Sequence, residues 1–275
     1  MHLPLINFIK KINRPCACPD AGAAWRLAAP SAVWPEALPG NCKKLAALPG
    51  RPVAEVGLCL FETKACLEYD SNDLPAWLAE LGLSFHVHLP LDLPWQAGMQ
   101  EVSTALRGLI DKVGYLSPRC FVLHPPGPDL LLEVAALFRE LDIDPARVLL
   151  ENVDGQDLTE LAPVIASAGF SVCLDLGHML AFGQRHILDD PRLTGRVAMI
   201  HAYAPGPRGE HKSLALLDAE GLAALAQCLT LLPPDGTLMV ECFRPSDLLS
   251  SLQALGEILP EQLDTSPACP GKAAT

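Results

Sequence analysis

The side chains best able to bind a metal or move a proton recur at one kind of place in this sequence, the end of a short apolar run. Glu62 follows Leu58-Cys59-Leu60-Phe61, His86 and His88 close Ser84–Leu89, and His124 follows Phe121-Val122-Leu123. Glu151 follows Val148-Leu149-Leu150, Asp175 follows Val172-Cys173-Leu174 with His178 three residues on, and His201 follows Met199-Ile200 with His211 in the next loop. Glu241 follows Met239-Val240. Each alone has an ordinary explanation: His124 a strand-end histidine bonded to a loop carbonyl, His86 an inner-layer side chain, Asp175 the cap of a following helix. Together, so many charges converging on one place would be costly to bury without a cation. Imidazole with carboxylate suits zinc first, and manganese or iron second, rather than calcium or magnesium.

Convergence requires elements that bring distant residues to one end. Near-continuous apolar runs are expected of strands buried on both faces, and they fall at Arg26–Val33, Glu55–Phe61, Ser84–Leu89, Arg119–His124, Val148–Asn152, Phe170–Asp175, Val197–His201 and Thr237–Phe243. Helical patterns lie between and after them, at Ala37–Leu48, Asp73–Leu81, Met99–Val113, Asp129–Leu141, Asp157–Ala168, Leu216–Leu232 and Ser246–Ile258, with Asp73, Asp157 and Ser246 as N-cap candidates. About eight strand–helix units in 275 residues predict an α/β fold of the TIM-type (β/α)8 class, whose active sites form at the C-terminal ends of the strands. An open doubly wound sheet is the alternative, but no glycine-rich fingerprint follows the first strand. The barrel is expected over residues 25–259, with tails at 1–24 and 260–275.

Composition narrows the partners. Hydrophobic residues make up 50% of the chain and charged residues 19%, enough for a large core, and the formal net charge is -12. That balance argues against nucleic acid, whose binders usually carry a basic footprint, and favours a small-molecule substrate. No apolar run reaches the ~20 residues of a membrane span. Cys59, Cys120, Cys173 and Cys242 sit in strand-like runs as small buried hydrophobes, as expected of a cytoplasmic protein in a reducing compartment. The Cys16-Ala-Cys18 pair is read as part of the tail.

At the strand ends the chain resembles the apurinic endonuclease family 2, within the xylose-isomerase-like barrels. The matching stretches include Phe85-His86-Val87-His88-Leu89-Pro90, Val122-Leu123-His124-Pro125, Leu150-Glu151-Asn152-Val153-Asp154-Gly155 and Val172-Cys173-Leu174-Asp175-Leu176-Gly177-His178, with Ile200-His201, Gly209-Glu210-His211 and Val240-Glu241. The resemblance implies that His88 and His124 bind a first metal, that Glu151 bridges it to a second held also by Asp175, His201 and Glu241, and that His178 and His211 bind a third. The family's Asp before the last position is replaced here by Gly209, beside Glu210. Glu55–Glu62, His86–Asp92 and the opening Arg26–Ser31 are more similar to the cobamide-remodelling phosphodiesterases of the same superfamily.

That likeness implies a metal-dependent phosphodiester hydrolase that opens the nucleotide loop of a cobamide, with Glu151 and Glu241 in catalysis. Arg208, Lys212 and Arg244 are then expected to hold the phosphate, Tyr69, Trp95 and Tyr203 to face the corrin or base, and Glu62 and His86 to touch substrate. The main alternative is a sugar or sugar-phosphate isomerase or epimerase, using one metal and the acid pair Glu151 and Glu241; a DNA-repair nuclease and a non-catalytic binding protein rank lower.

Overall fold

The computed structural model describes residues 25–50 and 52–258, and the backbone of Leu263–Asp264. The tails expected at 1–24 and 260–275, including Cys16 and Cys18, lie outside these residues, except for Leu263–Asp264, which forms a short strand.

The barrel strands are β1 (Trp25–Pro30), β2 (Glu55–Cys59), β3 (Ser84–His88), β4 (Phe121–Leu123), β5 (Val148–Glu151), β6 (Ser171–Asp175), β7 (Val197–Ala202) and β10 (Thr237–Val240). Between the last two lie β8 (Ala204–Pro205) and β9 (His211–Lys212), an antiparallel pair. Neighbouring barrel strands are parallel throughout, and β10 pairs with both β7 and β1, closing the sheet. The chain is therefore a TIM barrel and not an open doubly wound sheet. The terminal strand β11 (Leu263–Asp264) adds to β1 from outside the ring.

Helices α1 (Leu38–Ala46), α2 (Thr63–Leu67), α3 (Met99–Val113), α4 (Pro128–Glu140), α5 (Ala162–Ala168), α6 (Leu176–Ala181), α7 (Pro191–Thr194), α8 (Ala219–Leu231) and α9 (Pro245–Ile258) accompany the strands. In α3, Val102, Ala105, Leu106, Leu109 and Val113 are buried, the three-and-four spacing that turns one helical face to the core. The helix expected over 73–81 is instead a 3-10 segment, Ala76–Glu80, behind Pro75, whose ring removes a backbone donor and fixes its own φ. Helices α2, α6 and α7 were not expected; none is long enough to show a period.

Two apolar regions result. The larger packs the outer faces of the strands against the helices. The smaller, Val122, Leu149, Cys173 and Met199, lies inside the ring. Because strand side chains alternate between faces, the residues two places further along the last three of these strands, Glu151, Asp175 and His201, also point inward, one layer higher.

Candidate metal centre

Asp175 shows how local structure prepares the centre. It ends β6 and begins α6, so its carboxylate lies beside the free backbone donors of a helix start. The His178 backbone N–H donates to Asp175 Oδ1 at 2.6 Å, and the Asp175 N–H donates to Asn152 Oδ1 at 2.8 Å. The second oxygen, Oδ2, is buried without a hydrogen-bond partner. Asp175 is thus a helix cap, as one reading of the sequence had it, and still has an oxygen to offer.

The ligand atoms of Glu151, Asp175, His201 and Glu241 all lie within 4.8 Å of one another, and none of the four residues is more than 4% exposed. His201 Nδ1 stands 3.2 Å from Glu151 Oε1, 3.4 Å from Glu241 Oε2 and 3.9 Å from Asp175 Oδ2, while its Nε2 is buried without a hydrogen-bond partner. Beside this group, His88 Nε2 and His124 Nε2 approach Glu151 Oε2 at 3.0 and 3.2 Å. His88 Nδ1 donates to the Leu89 carbonyl at 3.0 Å, so the neutral ring would turn a lone pair on Nε2 toward a carboxylate oxygen. Either a proton or a cation must lie between them.

The electrostatics are those of a crowded anionic site. Burial would raise Glu151, but His201, His124 and His88 outweigh it and hold its carboxyl well below the usual range. Burial would also raise Glu241, and His201 again holds it low. Asp175 moves the other way: burial, then the charges of Glu151 and Glu241, push it well above an ordinary aspartate. Burial would lower His201, but Cys173, Glu241 and Glu151 raise it well above an ordinary histidine. Three carboxylates with an unsatisfied oxygen, around one imidazole, fit a divalent metal ion, which would relieve the repulsion that protons otherwise relieve.

His178 and His211 occupy different positions. Their Nδ1 atoms donate to the Asn152 and Glu241 carbonyls at 2.9 and 2.8 Å, leaving each Nε2 free of that bond. Their rings are 6.4 Å apart, and neither belongs to a group of convergent ligand atoms among the described residues. Glu210 is occupied by Arg208, whose Nη2 donates to its Oε1 at 3.0 Å. Tyr203 is buried and stacks on His211 with ring centroids 3.6 Å apart. Gly177 permits this: a Cβ there would stand 2.0 Å from the Tyr203 ring.

The remaining residues expected at the site are separated from it. His86 is fully buried below the mouth, its Nδ1 2.6 Å from Glu55 Oε1 and its Nε2 3.2 Å from Met239 Sδ. It shares a strand face with His88 but lies two residues lower, ~7 Å along the strand, and therefore does not reach a substrate at the mouth. Gly57 makes room for it, since a Cβ there would stand 2.6 Å from His86 Nε2. Glu62 is exposed at the start of α2, while Lys212 is half-buried in β9. Neither Glu62 nor Lys212, nor Tyr69, Trp95 or Arg244, lines the mouth cavity, which encloses about 160 Å³.

That cavity is lined by His88, His124, Glu151, His178, His211 and Glu241, by the buried Cys59 and Leu60, and by Phe61, Leu91 and Phe243, of which Phe61 and Leu91 are exposed. Two larger hollows, of about 310 and 480 Å³, lie elsewhere and include no member of the cluster. Sequence reasoning missed the apolar rim, because an exposed Phe looks like any other apolar residue in a sequence. It also gave no role to Asn152, whose side-chain amide donates to the Asp175 carbonyl at 3.0 Å and whose Oδ1 accepts from the Asp175 N–H. The adjacency of Asn152 to Glu151 was the available signal.

No family model matches the chain, and no curated protein does. Solved structures do. A D-tagatose 3-epimerase-like protein superposes with a TM-score of 0.66 at 18% identity, over 86% of this chain and 97% of the other. D-allulose 3-epimerase from Methylomonas sp. gives 0.59 at 14% identity, over 89% and 98%. A sugar phosphate isomerase/epimerase from Parabacteroides distasonis gives 0.58 at 13% identity, over 90% and 98%. These likenesses show the fold, a TIM barrel, at identities of 13 to 18%.

They also correct the expected activity. Most of the similar solved structures are sugar epimerases and isomerases, and they lend no support to a cobamide phosphodiesterase. The site gives a physical reason for the same correction. Of Arg208, Lys212 and Arg244, the residues expected to hold a phosphate, Arg208 pairs with Glu210 and none lines the cavity.

Proposed function

We propose that the protein is a metal-dependent isomerase or epimerase of sugars, exchanging a proton at the carbon beside a carbonyl. The observation that carries this reading is the buried quartet of Glu151, Asp175, His201 and Glu241 with the unpartnered Asp175 Oδ2. These four residues would hold the cation. Three carboxylates to one imidazole is an oxygen-rich donor set, which favours manganese, with iron and zinc behind it. A divalent ion there would act as a Lewis acid toward a carbonyl oxygen.

The chain's own residues supply the proton chemistry. Glu151 and Glu241 are both held ionised, and they belong to β5 and to the end of β10, strands that are not neighbours in the ring. A sugar carbon between them would meet a base on each side, one to remove the proton and the other to return one. His88 and His124 hold Glu151 Oε2. His178 and His211, each fixed through Nδ1 by a backbone carbonyl, offer Nε2 to substrate hydroxyls. Apolar walls limit water around the exchanging proton.

No helix among the described residues is long and apolar enough to cross a membrane. The described cysteines, all unpaired and mostly buried, fit the reducing, cytoplasmic compartment expected from the sequence.

The test is proton exchange. Metal-loaded protein, incubated in D2O with D-tagatose, D-fructose, D-allulose and their phosphates, should place deuterium beside the carbonyl of at least one of them and yield the epimer or aldose, read by NMR. Loaded, folded protein that exchanges no proton on any sugar or sugar phosphate would overturn the reading.

A further inference from the structure

The wall of the mouth bears on the substrate class and rests on the isomerase reading just given. From the cluster outward an aromatic series climbs one side of the cavity. Tyr203 stacks on His211 at 3.6 Å between centroids, His211 meets Phe243 at 4.9 Å, and Phe243 meets Phe61 at 6.1 Å. Phe61 is 50% exposed and Leu91, also on the cavity, is 56% exposed. Large apolar side chains left in water at the entrance of a polar site mark a binding surface more often than scattered ones do.

Charge points the same way. The cavity carries two glutamates and no lysine or arginine. Arg208 pairs with Glu210 at the surface and does not line the cavity, and the chain's net charge is -12. A phosphate at this mouth would meet carboxylates, imidazoles and apolar carbon, with no lysine or arginine to pair with it. A bare sugar would turn several hydroxyls toward Phe61, Leu91 and Phe243, which offer them no hydrogen bond, and leaving hydroxyls dry and unpaired is costly.

We propose that the site takes an uncharged sugar bearing an aromatic substituent, with the sugar carbons at the carboxylate cluster and the substituent's ring against Phe61 and Phe243. An offset or tilted arrangement on those rings would use the packing that aromatic pairs prefer. The hydroxyls near the cluster would face His178 and His211, and the remote end would need no polar partner.

The test uses binding of probes that the protein does not turn over. Calorimetric titration of the manganese-loaded protein with methyl β-D-glucopyranoside and phenyl β-D-glucopyranoside should show the phenyl glycoside binding about tenfold tighter, the upper range for an aromatic contact of this kind. Glucose 6-phosphate should bind no tighter than glucose. Phe61→Ala, at a half-exposed position where folding is little affected, should bring the phenyl-to-methyl ratio at least threefold closer to one, and Phe61→Ala with Phe243→Ala should nearly abolish the preference. Equal binding of the two glycosides, a preference for the phosphate, or an unchanged ratio in the double variant would each overturn the proposal. The two readings fail separately. Deuterium exchange on sugars without a phenyl preference removes only the substituent, whereas a phenyl preference without exchange on any sugar removes only the isomerase.

Discussion

Glu151 is the residue on which most of the centre depends. Its Oε1 faces His201 and its Oε2 faces both His88 and His124, so a substitution that removes its charge but keeps its shape alters three partners at once without disturbing the packing. Glu151→Gln should therefore leave the fold intact by circular dichroism and lower deuterium exchange by about 10²–10⁴-fold, the usual contribution of a general acid or base. Asp154 is exposed in the following turn, and Asp154→Asn should leave exchange within about twofold, as surface changes generally do. Normal exchange in Glu151→Gln would remove it from the catalytic pair. At this scale the sequence was informative wherever a polar residue ended an apolar run: Glu151, Asp175, His201 and Glu241 were all visible that way. It was uninformative about depth. His86 and His88 look equivalent on one strand, and only the register of Gly57 against His86 shows the first to be a layer lower.

At the scale of elements, the lower end of the barrel has its own polar layer, distinct from the site. Glu55 on β2 is fully buried and satisfied on both oxygens: Oε1 by His86 at 2.6 Å and Thr237 at 3.3 Å, Oε2 by Ser84 at 3.3 Å and Arg119 at 3.2 Å. It ties β2, β3 and β10 together beneath the apolar layer. Glu55→Ala leaves His86 and Arg119 without their partner, and chemical denaturation should show a loss of about 3–5 kcal/mol. Burial would raise the Glu55 carboxyl, but His86 and Arg119 outweigh it and hold it below the ordinary value of 4.5. A depressed carboxylate stabilises the fold above its unfolded value and ceases to do so as pH falls through its folded one. Wild-type stability should therefore decline as pH falls below about 4.5, and Glu55→Ala should flatten that part of the curve; parallel curves would assign the acid sensitivity elsewhere. The eight strands were legible because burial on both faces leaves unbroken apolar runs. Helices α2, α6 and α7 were not, because α6 and α7 are held by the Asp175 and Asp190 caps and α2 by Thr63 donating to Asp92, rather than by a repeating face. In α6 the Asp175 cap and the Tyr203 ring over Gly177 define the element.

For the whole molecule, the cluster sets function against stability. A closed barrel places three carboxylates in its interior at the mouth, and without a cation their repulsion counts against the folded state. Burial first, and that repulsion second, push Asp175 well above an ordinary aspartate. A cation bound only by the folded protein adds about 2.7 kcal/mol when present at a hundred times its dissociation constant. In a domain of this size each kcal/mol moves the melting temperature by roughly 2–4 °C, so stripping the metal with a chelator should lower it by roughly 5–10 °C, and manganese should restore it. Asp175→Asn separates the two effects. Asparagine can still cap α6 toward the His178 N–H, but it removes one buried charge. The metal-free variant should melt at or above the temperature of metal-free wild type, and added manganese should no longer raise it. Exchange activity should be lost as well. Elemental analysis of the protein as purified should find at least one equivalent of manganese, iron or zinc in wild type and much less in the variant. If metal-free Asp175→Asn instead melted well below metal-free wild type while still gaining the full shift from manganese, Asp175 would be a structural cap alone and the cation would have to be held without it.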